Sequence, residues 1–210
     1  MHGTIFLCEN MPETIETLRL QKKTDSEDFT FRYESRGVGN CDVMMSAGKQ
    51  YCSFYATYLG RNPQWSILTA LDDMNTNEPD HCELRWFSEP GCLRTCVDSS
   101  EGYAHITVDE FNQDKDSTSI EENEWTRKIN ARIPFKRLVQ VVLAEAERNI
   151  RRYGIVGFSK DWCDHMDVFP VSSYLSLKGI TTEWDCDDIQ TSSLEKELEI
   201  LNQLHGDDDK

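Results

Sequence analysis

The chain has 210 residues, 38% of them hydrophobic and 29% charged, with a formal net charge of −16. A chain of that length holds one domain, or one domain plus an appendage, with a core large enough to need no metal or disulfide staple. The charge excludes nonspecific binding to nucleic acid or to an anionic membrane, both of which need a basic surface, and it favours a partner that is itself basic.

Residues 1–25 offer a short strand at Ile5–Leu7 and a helix opened by Pro12. Phe29, Phe31 and Tyr33 alternate with Thr30 and Arg32, the period of a strand. Gly37 to Asn40 is a turn cluster, and a second alternating stretch runs from Tyr51 to Leu59. Pro63 then opens a short helix carrying Trp65, Ile67, Leu68 and Leu71. Asp72 to Asp80 reads as a polar loop. Three strands follow, Cys82–Phe87, Cys92–Val97 and Tyr103–Val108, joined through Pro90-Gly91 and through Asp98–Gly102. Connections that short between consecutive strands make an antiparallel meander. Gln113 to Glu124 is acidic and nearly free of apolar groups, hence an exposed loop. Trp125 to Ile133 alternates again and makes another strand.

The clearest element begins at Pro134. Phe135, Val139, Val142, Ala146, Ile150 and Tyr153 recur at steps of three and four, which places them on one helical face, and Gly154 caps the helix. Phe169-Pro170 introduces a short helix through Leu177 that ends at Gly179, and Trp184 to Asp188 is an acidic loop. Leu194, Leu198, Leu201 and Leu204 give a last amphipathic helix. The expected fold is α+β, an antiparallel sheet of five or six strands with helices packed on one face. Residues 1–190 form a single domain, 191–204 a C-terminal amphipathic helix and 205–210 a charged tail.

The common catalytic signatures are missing: no phosphate-binding glycine loop, no Gly-x-Gly-x-x-Gly, no His-Glu-x-x-His. Gly157-Phe158-Ser159-Lys160-Asp161 is half a nucleophile elbow, with Asp161 where the tight turn needs glycine. Asp114-Lys115-Asp116 starts like a calcium loop, but Ser119 stands in for the turn glycine and Trp125 for the bidentate glutamate. Cys92 and Cys96, with His81 and Cys82 nearby, lack a second ligand pair of zinc spacing, because Cys163 and His165 are separated by one residue. No metal and no cofactor is expected. The eight cysteines are scattered, and the stretch Ile5–Cys8 before Glu9 is too short for a secretory signal. Free thiols in a reducing cytoplasm follow.

Charge is unevenly spread. Lys136, Arg137, Arg148, Arg151 and Arg152 make the long helix basic, so the acid excess lies elsewhere, densest in Asp109–Glu124 and Asp161–Asp188. These two segments are the expected docking loops for a basic protein: Asp114, Asp116, Glu121, Glu122 and Glu124 in the first, Asp161, Asp164 and Asp167 in the second. Two other readings compete. One is a small hydrolase with a pocket assembled from Cys163, His165 and His105. The other is an acidic mimic of nucleic acid that inhibits a DNA-binding enzyme.

From Cys82 to Ile180 the layout Leu84-Arg85-Trp86-Phe87, a Pro-initiated helix ending in Tyr153-Gly154, then Gly157-Phe158, Trp162, Phe169-Pro170 and Leu175-x-Leu177 is familiar. It resembles small cytosolic immunity proteins encoded beside polymorphic bacterial toxins, including those of contact-dependent growth inhibition. The resemblance covers about half the chain and carries over no binding residue. It implies a non-enzymatic protein that binds and blocks one cognate toxin, commonly a nuclease.

Overall fold

A computed structural model of the chain describes residues 24–25, 28–76, 79–113, 120–162, 168–184 and 190–205. The fold is α+β, but its strands divide between sheets. The first unit is a three-stranded antiparallel meander of β2 (Phe29–Gly37), β3 (Asn40–Ala47) and β4 (Gln50–Ala56). Helix α1 (Pro63–Thr76) leads to the second, the antiparallel run β5 (His81–Phe87), β6 (Cys92–Ser100), β7 (Tyr103–Phe111) and β8 (Thr126–Pro134). The short β1 (Thr24–Asp25) pairs in parallel with β8, Thr24 facing Ala131. Helix α2 (Phe135–Asp161) follows β8 directly, then α3 (Val171–Leu177), a small ribbon of β9 (Glu183–Trp184) and β10 (Gln190–Thr191), and α4 (Leu194–Asn202). The expected strand at Ile5–Leu7, the helix opened by Pro12 and the tail beyond His205 lie outside the described residues. So do residues 185–188 of the expected acidic loop, whose start at Trp184 is strand β9.

The single sheet of five or six strands is therefore corrected to two sheets. Each has one apolar face, and a half-apolar sheet must bury that face against something. Phe29, Phe31, Tyr33, Val43, Met45 and Phe54 from the smaller sheet share one core cluster with Trp86, Leu93, Val97, Ile106, Ile129 and Ile133 from the larger. Strand β4 meets both edges of the β5–β8 meander. At one end the Thr57 amide donates to the Phe87 carbonyl at 2.8 Å. At the other the Gln50 side chain brackets the Asn130 backbone, accepting from its N–H at 2.5 Å and donating to its carbonyl at 3.4 Å.

Helix α1 starts where expected because the Asn62 carboxamide accepts the Gln64 and Trp65 amides at 2.9 and 3.2 Å, an N-cap. It continues through Thr76, so Asp72 and Asp73 are helical rather than loop. Helix α2 also runs further than expected. Gly154 does not end it but kinks it, with φ 68°, and the helix resumes to Asp161. Its buried set is Leu138, Val142, Leu143, Glu145, Ala146, Asn149 and Ile150 before the kink and Phe158 after it, while Phe135, Val139 and Tyr153 of the expected stripe sit at the margin. The helix is turned by its polar residues. The Tyr33 N–H donates to Glu145 Oε1 at 2.7 Å, and the Tyr33 carbonyl accepts from Arg148 at 2.7 Å and Asn149 at 3.4 Å. Side chains of α2 thus close the exposed edge of β2 as a further strand would. Among the described residues no helix is long and apolar enough to cross a membrane.

Candidate binding surface

Asp114, Asp116, Asp164 and Asp167 lie outside the described residues, as do Cys163 and His165. The remaining predicted acids are placed. Glu122 forms a two-pronged bond with Arg94, at 2.9 and 2.8 Å. Arg94 also donates to the buried Asp109 at 3.1 Å, Asp109 accepts Arg127, and the Arg94 guanidinium stacks 4.5 Å above the Trp125 ring. The end of the acidic loop is folded down on the outer face of the larger sheet by this network. Glu121 and Glu124 box the turn between them, the Glu124 carboxylate accepting the Glu121 N–H at 2.7 Å. Asp161 closes α2. Its carbonyl accepts the Gly39 N–H at 2.8 Å, and partial burial raises the pKa of its carboxyl.

The titratable groups of the larger sheet are likewise held. His105 Nε2 lies 2.7 Å from Asn130 Oδ1, and His81 pairs with Asp98 at 2.7 Å. Cys92 and Cys96 share the outer face, with Cys96 3.9 Å from Glu83. Burial pushes the Cys52 thiol up to about 12 and those of Cys82 and Cys92 to about 11. Such thiols are protonated at neutral pH, whereas a nucleophilic cysteine needs the thiolate. Among the described residues no three His, Cys, Asp or Glu side chains gather as a metal set.

The smaller sheet presents a different surface. Period-two alternation buries Cys52, Phe54 and Ala56 of β4 and turns Tyr51, Ser53 and Tyr55 outward. Register sets Tyr51 beside Ser46, Ser53 beside Met44 and Tyr55 beside Asp42. Tyr51 is 57% exposed, and Tyr58, just past the strand, is 55% exposed next to an equally open Leu59. A second contribution comes from the turn between β2 and β3. Cys41 pairs with Ala56, so the 37–40 turn and the chain leaving β4 at 57–59 lie at the same end of the sheet. At its tip Val38 is 76% exposed with φ 54°, between Gly37 at 80° and Gly39 at 73°. A left-handed conformation costs a non-glycine residue about 1–2 kcal/mol, more readily tolerated by Asn or Asp than by a β-branched side chain. The turn is pinned by the Gly39–Asp161 bond and by Asn40 donating to the Val38 carbonyl at 3.1 Å.

This face and end expose Tyr51, Tyr55, Tyr58, Leu59 and Val38 on a scaffold whose other side is core. Tyrosine presents a large, rigid area with few rotamers to freeze, which is why it is enriched where proteins meet. The sequence signal was available: tyrosines at 51 and 55 run in phase with each other and out of phase with Cys52, Phe54 and Ala56. Periodicity does not say which of two aromatic-bearing faces looks outward, because phenylalanine and tyrosine both suit a core. No family model, curated protein or solved structure matches this chain, so the surface is interpreted from its own geometry.

Proposed function

We propose that this chain is an immunity-type protein of the cytoplasm that binds one cationic, nuclease-class toxin domain and blocks it by covering its working face. The observation that carries the reading is the pair of exposed tyrosines Tyr51 and Tyr55 on the outer face of β4, with exposed Tyr58, Leu59 and Val38 at one end of the same sheet. Three further points support it. The net charge of −16 steers a basic partner inward over distances longer than any contact. The chain itself stacks arginine on aromatic rings, as with Arg132 over Tyr103 at 3.5 Å and Arg61 over Trp65 at 4.9 Å, and the tyrosines of the smaller sheet offer the same chemistry to arginines of a partner. The sequence layout resembles immunity proteins.

In this mechanism charge brings the partners together and the aromatic face holds them. The test is co-purification with the product of the reading frame immediately upstream, carried in a catalytically inactivated form. A stable complex is expected, and the double variant Tyr55→Ala/Tyr58→Ala should weaken it about tenfold or more, as loss of central aromatic anchors does. Tyr103→Ala, an exposed tyrosine of the other sheet, should leave affinity unchanged. Absence of a complex, or a complex indifferent to Tyr55 and Tyr58, overturns the proposal.

A further inference from the structure

Helix α4 carries one apolar stripe and packs only its C-terminal half against the core. Ile200 and Leu201, with Leu204 beyond, pack on the core cluster, and Leu201 and Leu204, with Ile150, Tyr153 and Gly154, bound a groove of about 520 Å³ at the kink of α2. The N-terminal half of that stripe carries Leu194, 65% exposed, and Leu198, 49% exposed, one helical turn apart. Glu195 and Glu199 run beside them, and Asn202 and Gln203 continue the same open face. Neither glutamate makes an ion pair with a described residue. The helix is fixed in place by its packed C-terminal half and by its cap, where Ser193 Oγ accepts the Lys196 amide at 3.4 Å. The two exposed leucines are therefore held in register rather than free to fold away.

We infer that this exposed half of the α4 stripe docks a cationic amphipathic helix, a surface separate from the tyrosine face of the smaller sheet. Two leucines at i and i+4 match the anchors by which one helix lies along another. Glu195 and Glu199, without an ion pair among the described residues, select the partner's flanks, which must carry lysine or arginine. A second copy of this chain fits badly, since an α4–α4 pair would add like charge from both helices to two molecules of −16 each. An anionic membrane is opposed by the same carboxylates.

The probe is a labelled synthetic peptide of about 15 residues, long enough for about four helical turns, with leucine at i, i+3, i+4 and i+7 and lysine elsewhere. A control peptide replaces every lysine by glutamate. Anisotropy titrations use the whole chain at salt concentrations of about 50 and about 300 mM, which shorten the screening length roughly twofold. The lysine peptide should bind and the glutamate peptide should not. Leu194→Ser/Leu198→Ser should weaken binding about tenfold with an unchanged melting temperature, because both side chains are exposed. Glu195→Gln/Glu199→Gln should weaken it mainly at low salt. Equal binding by the leucine variant would reduce the effect to unspecific charge attraction and overturn the inference. So would sedimentation showing a dimer of the wild-type chain that Leu194→Ser/Leu198→Ser dissolves, since the face would then belong to a second copy.

Discussion

The Glu145 carboxylate is almost fully buried, yet it receives the Tyr33 N–H at 2.7 Å, Arg32 at 3.2 Å and Arg148 at 2.6 and 2.9 Å. A buried charge is tolerable only when its partners are complete, and removing one partner of such a set costs about 3–5 kcal/mol. Glu145→Ala should therefore lower the unfolding free energy by about that much in urea, because the Tyr33 amide and Arg148 lose their acceptor. Glu145→Gln should cost less, since its carbonyl can still accept the Tyr33 amide. A loss below about 1 kcal/mol for Glu145→Ala would mean that α2 is held to β2 by apolar packing alone. The buried and half-buried thiols make a second prediction. Cys52 at about 12 and Cys82 and Cys92 at about 11 all stand above the ordinary thiol value of 9.0. A pKa raised in the folded state means that the fold holds its proton more tightly than the unfolded chain does. Stability from these groups is complete below about pH 9 and is lost as pH rises through about 11 to 12. The unfolding midpoint should fall across that window, and Cys52→Ala/Cys92→Ala should flatten the fall. An unchanged slope in the double variant assigns the decline to other groups.

Two turns carry the element-scale tests. Gly154 holds φ 68° inside α2, and a Cβ added there meets nothing within 4 Å. Gly154→Ala therefore probes backbone conformation rather than space, and should destabilise by about 1–2 kcal/mol. A stabilising result would mean that α2 straightens at no cost. Val38 is the converse, a β-branched residue placed where glycine is at ease. Val38→Gly should leave the melting temperature unchanged or raise it, because relief of the left-handed strain offsets the added freedom of the unfolded chain. A drop of several degrees would show that Val38 is held by packing. These elements also show how far the sequence could be read. The meander β5–β7, strand β8, and helices α1 to α4 follow from periodicity, because burial on one side repeats at the step of the element. Strand β3 escaped because its inward set, Cys41, Val43, Met45 and Ala47, is small or soft, and Met44 interrupts the polar side. The division into two sheets escaped for a different reason: alternation marks which residues face a core, not which sheet supplies the opposite wall. The rotation of α2 needed the contact of Glu145 and Asn149 with Tyr33, more than a hundred residues apart. Glu122 looks like a docking acid in the sequence because nothing local announces Arg94 as its partner, 28 residues away.

Along the sequence, the acid-rich segments and the exposed tyrosines are segregated. On the smaller sheet's outer face the ionic groups compensate one another: Arg36 pairs with Asp42, and Glu34 lies 4.0 Å from Arg152. The exposed tyrosines thus sit among compensated charges and small polar side chains such as Ser46 and Ser53, while acid density in the sequence peaks in the two segments that contain Asp114, Asp116, Asp164 and Asp167. If the proposed partner is cationic, these two features act on different steps. Long-range attraction raises the rate of encounter and is screened by salt, whereas desolvated contacts set the lifetime of the complex. Replacing Asp114, Asp116, Asp164 and Asp167 by asparagine should slow association with the upstream-frame product several-fold at low salt and leave dissociation untouched. Tyr55→Ala/Tyr58→Ala should do the reverse, speeding dissociation about tenfold while association stays within about threefold. Raising salt should erase the first effect and spare the second. Stopped-flow and surface-capture measurements on the same variants separate the two rates. The segregation fails if the asparagine variant dissociates faster, for the acids would then lie inside the interface. It fails equally if the tyrosine variant loses affinity only through slower association.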